Sequence, residues 1–390
     1  MHCRIIFFAM LLMAGTAAAT PYTPADGKQI VEHLPSRNDP AQREFQRLRQ
    51  LLAAKPDAVG IAAELAQKYI DAARNDGDPR YLGYAQAVLA PWWSQAQPPL
   101  EVRVLRATLL QSTHQFPAAL ADLNAVLRED RDNAQAWLTR ATVLQVQGQY
   151  AQAKNSCMHL YALAPELVTI TCLSNIGNLN GDAERSYALL AETYRKNINT
   201  GPGIRAWVLT LLAEMSARRG DARAAEQWYR QAMKLAPDSY LLGSYADFLL
   251  DQQRAAEVLP LLKDKTRVDA LLLRYALALR AQGAADAGAQ SEVLGQRFAA
   301  AMLRGDTVHQ REQARYELQL KGNAAAALKL AQRNWAVQKE AADVRIYLQA
   351  AAAAGDAQAA APVLAWIKQN GLQDAALAPL IAGLTANGAP

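Results

Sequence analysis

A three-residue turn recurs along this chain and restricts what it can fold into. Gly181-Asp182-Ala183, Gly220-Asp221-Ala222 and Gly355-Asp356-Ala357 are one form, with looser copies at Gly148-Gln149-Tyr150, Gly283-Ala284-Ala285 and Gly322-Asn323-Ala324. Each copy separates two Ala/Leu-rich amphipathic stretches. Glycine enters the left-handed conformation that ends one helix without steric penalty, and Asp or Asn caps the next helix. Helix pairs repeated in series stack as hairpins, and such arrays build binding surfaces far more often than catalytic pockets.

The spacing around these turns repeats as well. Trp137-x2-Arg140-Ala141-x2-Leu144 leads to Gly148-x-Tyr150-x2-Ala153-x3-Cys157 and Pro165, and Leu209-x2-Leu212-Ala213-x2-Ser216 leads to Gly220-x-Ala222-x2-Ala225-x3-Tyr229 and Pro237. A further copy, without the closing proline, runs through Arg106-Ala107-x2-Leu110, Phe116 and Ala119-x3-Leu123. Looser matches span Leu167 to Thr193, Tyr240 to Leu262, Val308 to Lys339 and Ala341 to Lys368. The pattern resembles the tetratricopeptide repeat, a helix-turn-helix unit of roughly 34 residues. The resemblance implies an all-α, right-handed superhelical solenoid of stacked hairpins, roughly seven to nine of them. Two departures stand out: Ser216 replaces an aromatic and Cys157 a large hydrophobe.

Composition fits this architecture. Of 390 residues 51% are hydrophobic, with alanine, the best helix former, conspicuous throughout, and no run alternates with the period of a strand. Because each repeat packs on its neighbours, a chain of this length need not divide into globular domains. The expected order is a leader over 1–19, an extension with a first helix over 20–56, repeats over 57–196, a loop or hinge over 197–203, repeats over 204–386 and a tail over 387–390. One elongated solenoid with a kink near Asn197 to Gly203 follows from that order.

The N-terminus reads as a secretory signal. Met1-His2-Cys3-Arg4 is a short basic start, Ile5 to Ala14 an apolar stretch, and Ala17-Ala18-Ala19 a small-residue cleavage site before Thr20. No later segment has the roughly 18 to 20 uninterrupted apolar residues of a membrane span. The mature chain is expected in a bacterial periplasm. Cleavage leaves Cys157 and Cys172, and on the repeat alignment these lie on adjacent packed helices, so a disulfide between them is feasible in an oxidising compartment. Two buried free thiols are the alternative.

Chemistry-bearing motifs are scarce. His33, His114, His159 and His309 are scattered, and H-E-x-x-H, G-x-S-x-G, the P-loop and the Rossmann fingerprint are all missing, so no catalytic residue, metal site or cofactor is expected. A formal charge of +5 is mild, and the cations are interleaved with acids, which disfavours a nucleic-acid partner. In the resembled family the first helix of each hairpin lines the concave face. One stripe there runs Thr108, Gln111, Gln135, Thr142, Gln145, Thr171, Asn175 and Asn178, polar and uncharged, suited to hydrogen-bonding an extended peptide or, plainly, to meeting water. The family's basic clamp for a partner's terminal carboxylates is not reproduced. Tyr81, Tyr84, Pro91, Trp92 and Trp93 form an aromatic group, either an interface anchor or the seal of the first repeats. Trp207, Phe248, Tyr316, Trp335 and Trp366 read as core between repeats. The expectation is a scaffold or adaptor for a protein or peptide partner; a binder of a small molecule or cell-wall polymer comes second, an enzyme third.

Overall fold

The computed structural model describes residues 26–28, 39–235, 237–386 and 388. The leader expected over 1–19 lies outside them. Two compact units are distinguished, Met1–Arg47 and Leu48–Pro390. Among the described residues of the first is the opening part of α1 (Pro40–Ala54), where Glu44 pairs with Arg47.

In the second unit α2 (Val59–Asp76) packs on α3 (Arg80–Val88), and the short α4 (Ala90–Trp93) follows. Eight hairpins come next. They are α5 (Leu100–Ser112) with α6 (Phe116–Glu129), α7 (Ala134–Val146) with α8 (Tyr150–Met158), α9 (Glu166–Leu179) with α10 (Ala183–Lys196), and α11 (Pro202–Arg218) with α12 (Ala222–Ala232). The series continues through α13 (Ser239–Asp251) with α14 (Ala255–Leu262), α15 (Asp269–Ala281) with α16 (Ala287–Leu303), α17 (Gln310–Gln319) with α18 (Ala324–Val337), and α19 (Ala341–Ala353) with α20 (Ala361–Asn370); α21 (Ala378–Ala386) ends it. From α5 to α19 each first helix touches the first helix of the next hairpin. The fold is an all-α helical repeat solenoid, and no described residue lies in a strand.

The turns explain the regularity. Gly148, Gly181, Gly220, Gly283, Gly322 and Gly355 all have φ between 63° and 81°. At most of these turns the following residue donates its N–H to the carbonyl five positions back, as Asp221 does to Ser216 (2.9 Å) and Asp356 to Ala351 (3.0 Å). That bond ties off a carbonyl the helix end would leave unsatisfied. Asp221, Asn323 and Asp356 then accept the N–H of Ala224, Ala326 and Ala359, capping the next helix; Asp182 makes no such bond. Two hairpins reach the same geometry without glycine, at His114 and Gln253, both with φ of 58°.

The small residues of the repeat do what their size allows. Ala153, Ala225 and Ser216 are wholly buried, and the Ser216 hydroxyl donates to its own helix at Leu212 O (2.8 Å), so a hydroxyl occupies the aromatic's place without an unsatisfied atom. Cys157 on α8 and Cys172 on α9 are joined by a disulfide, with Cα atoms 5.7 Å apart. One hydrophobic cluster includes Leu190 and Tyr194 before the loop at 197–201 and Val208 and Leu212 after it, so the core is continuous there. Phe248 and Tyr316 are buried, and the rings of Trp335 and Trp366 meet edge to face at 5.2 Å.

The expectation that repeats pack only on their neighbours needs correction. The last hairpins return to the middle of the chain: Lys339 donates its N–H to Val146 O and Ala375 to Arg218 O, each at 2.7 Å. The Trp366 ring lies 6.0 Å from that of Tyr150, and Arg345 forms two bonds to Asp251 (2.5 and 2.7 Å). A single core cluster joins Leu144 and Ile176 to Val344, Leu348 and Ile367. Small rotations between repeats accumulate into curvature, and here they bring distant hairpins together. The turn glycines permit the approach, since a Cβ at Gly148 would lie 3.2 Å from the Trp366 ring and one at Gly371 3.1 Å from Gly181 Cα.

Two outcomes test this account. Gln253 is exposed and held left-handed, so Gln253→Gly should raise stability in denaturant titration by about 0.5–1 kcal/mol. His114→Gly should gain nothing, because the His114 ring stacks on Phe116. In unfolded protein, reductant should release two thiols beyond any at Cys3, and reduction of the 15-residue loop should destabilise the fold by about 3 kcal/mol, read from its melting temperature.

Candidate functional site

The first helices from α7 to α19 surround a cavity of about 850 Å³. Helical geometry sets its lining, because residues three or four apart share a face and the inward face of each first helix points at the same space. Gln145 of α7, Asn175 of α9, Glu214 and Arg218 of α11, and Tyr240, Ser244 and Asp247 of α13 lie on one part of the wall. Arg274 and Arg280 of α15, Arg311 and Arg315 of α17, and Arg345 of α19 lie on another. Six arginines and six carboxylates line the cavity, so recognition there depends on placement and not on net charge.

The strongest cluster surrounds Asp247. Its two oxygens accept from Arg274 and Arg315, each at 2.5 Å, and Arg274 also donates to Gly243 O and Ala270 O. Burial alone would raise the Asp247 carboxyl, but the two guanidiniums outweigh it and hold it down at about 2. Arg311 binds Glu340 (2.7 Å) and lies near Glu312 and Asp343, while Asp343 accepts from Asn334 (2.8 Å) and the Glu340 N–H (2.7 Å). Burial pushes the Asp343 carboxyl up; in Glu312 burial acts the same way, but Arg311 and Arg274 prevail and lower it. Glu214 differs, since its Oε1 accepts from the Tyr240 and Ser244 hydroxyls (2.8 Å each) and no cation pairs with it among the described residues. Burial therefore raises the Glu214 carboxyl.

The polar stripe expected from sequence is only partly on this wall. Gln145 and Asn175 line the cavity and bond to each other at 3.0 Å. Thr108 and Thr171 are buried, and their hydroxyls donate to Val104 O and Leu167 O of their own helices. Asn178 is also buried, donating to Ala183 O and accepting from Arg218 Nε (2.9 Å). Thr142 donates to Leu138 O, Gln135 is exposed and donates to Thr139, and Gln111 is half-buried. A single ladder open to a ligand is thus not formed: Thr108, Thr171 and Asn178 have turned inward between helices, where their polar atoms are satisfied within the chain.

Trp92 and Trp93 on α4 are half-buried and not among the cavity residues; the Trp93 carbonyl accepts from Arg106, whose guanidinium also grips Asp122 at 2.6 and 2.7 Å. Nearby, Tyr69, Tyr81 and Tyr84 contact one another with centroids 5.7 to 6.0 Å apart. The charged residues of α11 to α19 were not singled out by sequence. Their signal was acids and arginines three to five apart on first helices, such as Glu214 with Arg218 and Asp247 with Asp251. Among the described residues no helix is long and apolar enough to cross a membrane.

Asp247→Asn should cost about 2–3 kcal/mol at neutral pH, because it leaves two guanidiniums facing one neutral acceptor. A depressed carboxyl contributes stability above its unfolded value, so the Asp247 contribution should persist into acid and fade only as pH falls through about 2. Glu214 has the opposite sign. Its raised carboxyl makes folding less favourable as pH rises above the ordinary 4.5, so Glu214→Gln should stabilise the protein at pH 7, and the gain should vanish on acidification to that value. Urea titrations across pH read both.

No family model matches the chain, and no curated protein matches it by sequence. Solved structures do resemble it. The Cut9 and Hcn1 hetero-tetramer of the APC/C aligns over 89% of this chain and 67% of the other, with a TM-score of 0.50 and 12% identity. A monomeric mutant of IFIT1 with Gppp-AAAA aligns over 88% and 86%, at a TM-score of 0.44 and 16% identity. The TPR domain of P58(IPK) aligns over 89% and 97%, at 0.22 and 16%. The fold is that of the tetratricopeptide-repeat solenoids.

Proposed function

We propose that this protein is an exported, periplasmic scaffold or adaptor that takes an extended segment of a partner protein into the cavity between its first helices. One observation carries the reading: the inward faces of successive first helices offer amides, carboxylates and guanidiniums in series around a space of about 850 Å³. An extended peptide presents donors and acceptors in series, and a wall of both kinds can bond them. Export rests on the three-part N-terminus, and the Cys157–Cys172 bridge agrees with an oxidising compartment.

A second reading, a small-molecule or cell-wall-polymer binder, draws on a specific feature. The last hairpins bond back to α7 and α11, which encloses the cavity more than an open groove would be. A photo-crosslinking residue at Gln349, which lines the cavity, separates the two in living cells. A discrete polypeptide adduct released with the periplasmic fraction, and a mature chain beginning at Thr20, are the expected outcomes. An adduct carrying only glycan or small-molecule mass would favour the second reading and contradict the first.

A further inference from the structure

Among the cavity's charges one group stands apart. Asp247, Asp251, Glu312 and Glu340 each have an arginine within 3.3 Å, whereas Glu214 and Asp374 have no ion pair among the described residues. The charge of Arg218, whose Nε is engaged by Asn178, acts on both. Glu214, Arg218 and Asp374 together are short of one positive charge, and Glu340 adds to the negative field at Glu214. We propose that the corner formed by Glu214 and Tyr240 is a subsite for a single cationic group of the ligand, an alkylammonium or guanidinium.

The geometry suits that group. Glu214 of α11 is fixed from α13: Oε1 accepts from Tyr240 Oη and Ser244 Oγ, and Ser244 is held in turn by Tyr229 Oη at 2.7 Å. Oε2 accepts no hydrogen bond from the described residues and is the acceptor left for a ligand. Tyr240 is 61% exposed although it lines the cavity, so its ring is open beside the carboxylate it bonds. An aromatic face next to a carboxylate attracts a cation by both the ring quadrupole and the full charge. An anion would meet Glu214 and the negative field of Glu340, and the Tyr240 hydroxyl proton is already given to Glu214. Burial raises the Glu214 carboxyl, and an arriving cation would favour its ionised form.

The subsite deepens the peptide-binding reading only in what carries the cation, a lysine or arginine side chain; a free small amine has the same chemistry. Calorimetric titration with three probes separates these: acetyl-Gly-Ala-Lys-Ala-Gly-amide, its Nε-acetyl-lysine counterpart, and butylammonium chloride. The lysine peptide should bind at least about tenfold tighter than the acetylated one. Glu214→Gln should abolish that difference, Tyr240→Ala should reduce it severalfold, and Tyr240→Phe, which keeps the ring, should retain most of it. Equal binding of the two peptides overturns the subsite and leaves the peptide reading standing. Butylammonium binding that Glu214→Gln abolishes, with neither peptide bound, keeps the subsite and overturns the peptide reading. No heat from any probe at millimolar concentration overturns both. Tyr240→Ala removes an exposed ring and so tests the subsite independently of any change Glu214→Gln makes to stability.

Discussion

Each hairpin of this solenoid depends on one residue held in the left-handed conformation between its two helices. That residue lets the chain reverse within a few positions and, at every one of these turns but that at Gly322, directs the next N–H to the carbonyl five residues back, as at Asp221 to Ser216. The reversal fixes the angle at which α11 meets α12, and the same turn repeated fixes the rotation from one hairpin to the next. Alanine at the contact, as at Ala153 and Ala225, lets the helices come close enough for the rotation to be uniform. Everything larger follows from the accumulated angle.

Accumulated far enough, the rotation brings the last hairpins against the middle ones. The turn before α19 bonds to the end of α7, and the segment after α20 bonds to the end of α11. These contacts convert a row of helix faces into the wall of a cavity. A wall so enclosed is an expensive place for charge, and the chain responds by pairing most of it, with Asp247 shared between two arginines. Glu214 and Asp374 are exceptions among the described residues, and Glu214 is held by two hydroxyls and not by a cation. A half-buried carboxylate without an ion pair, in a lining whose charges are mostly paired, is where a ligand's charge makes the largest difference.

The parts of this that sequence discloses are the local ones. Glycine at Gly148, Gly181 and Gly220 marks the left-handed turn because other residues pay a steric penalty there, and the bridge between Cys157 and Cys172 joins neighbouring helices 15 residues apart. The turns at His114 and Gln253 carry no such mark; the same conformation is imposed on ordinary residues by the packing of their helices. The stripe through Thr108, Thr171 and Asn178 failed for a related reason. A step of one residue turns a helix face by about 100°, and repeat spacing places a helix on the concave side without fixing that rotation closely enough. The cavity's long-range ion pairs were out of reach. Asp247 and Arg315 are 68 positions apart and Asp251 and Arg345 are 94, separations at which only the superhelical rotation decides who meets whom.

The claim on which the cavity rests is that the final hairpins close on α7 and α11. Native-state hydrogen exchange reads it residue by residue, because the Lys339 and Ala375 N–H groups lie outside the helices and donate across the closure to Val146 O and Arg218 O. The account predicts that both amides exchange as slowly as those in the neighbouring helices, opening only with the larger unit. Exchange of these two amides at the rate of free, unstructured chain, with α19 itself protected, would contradict it.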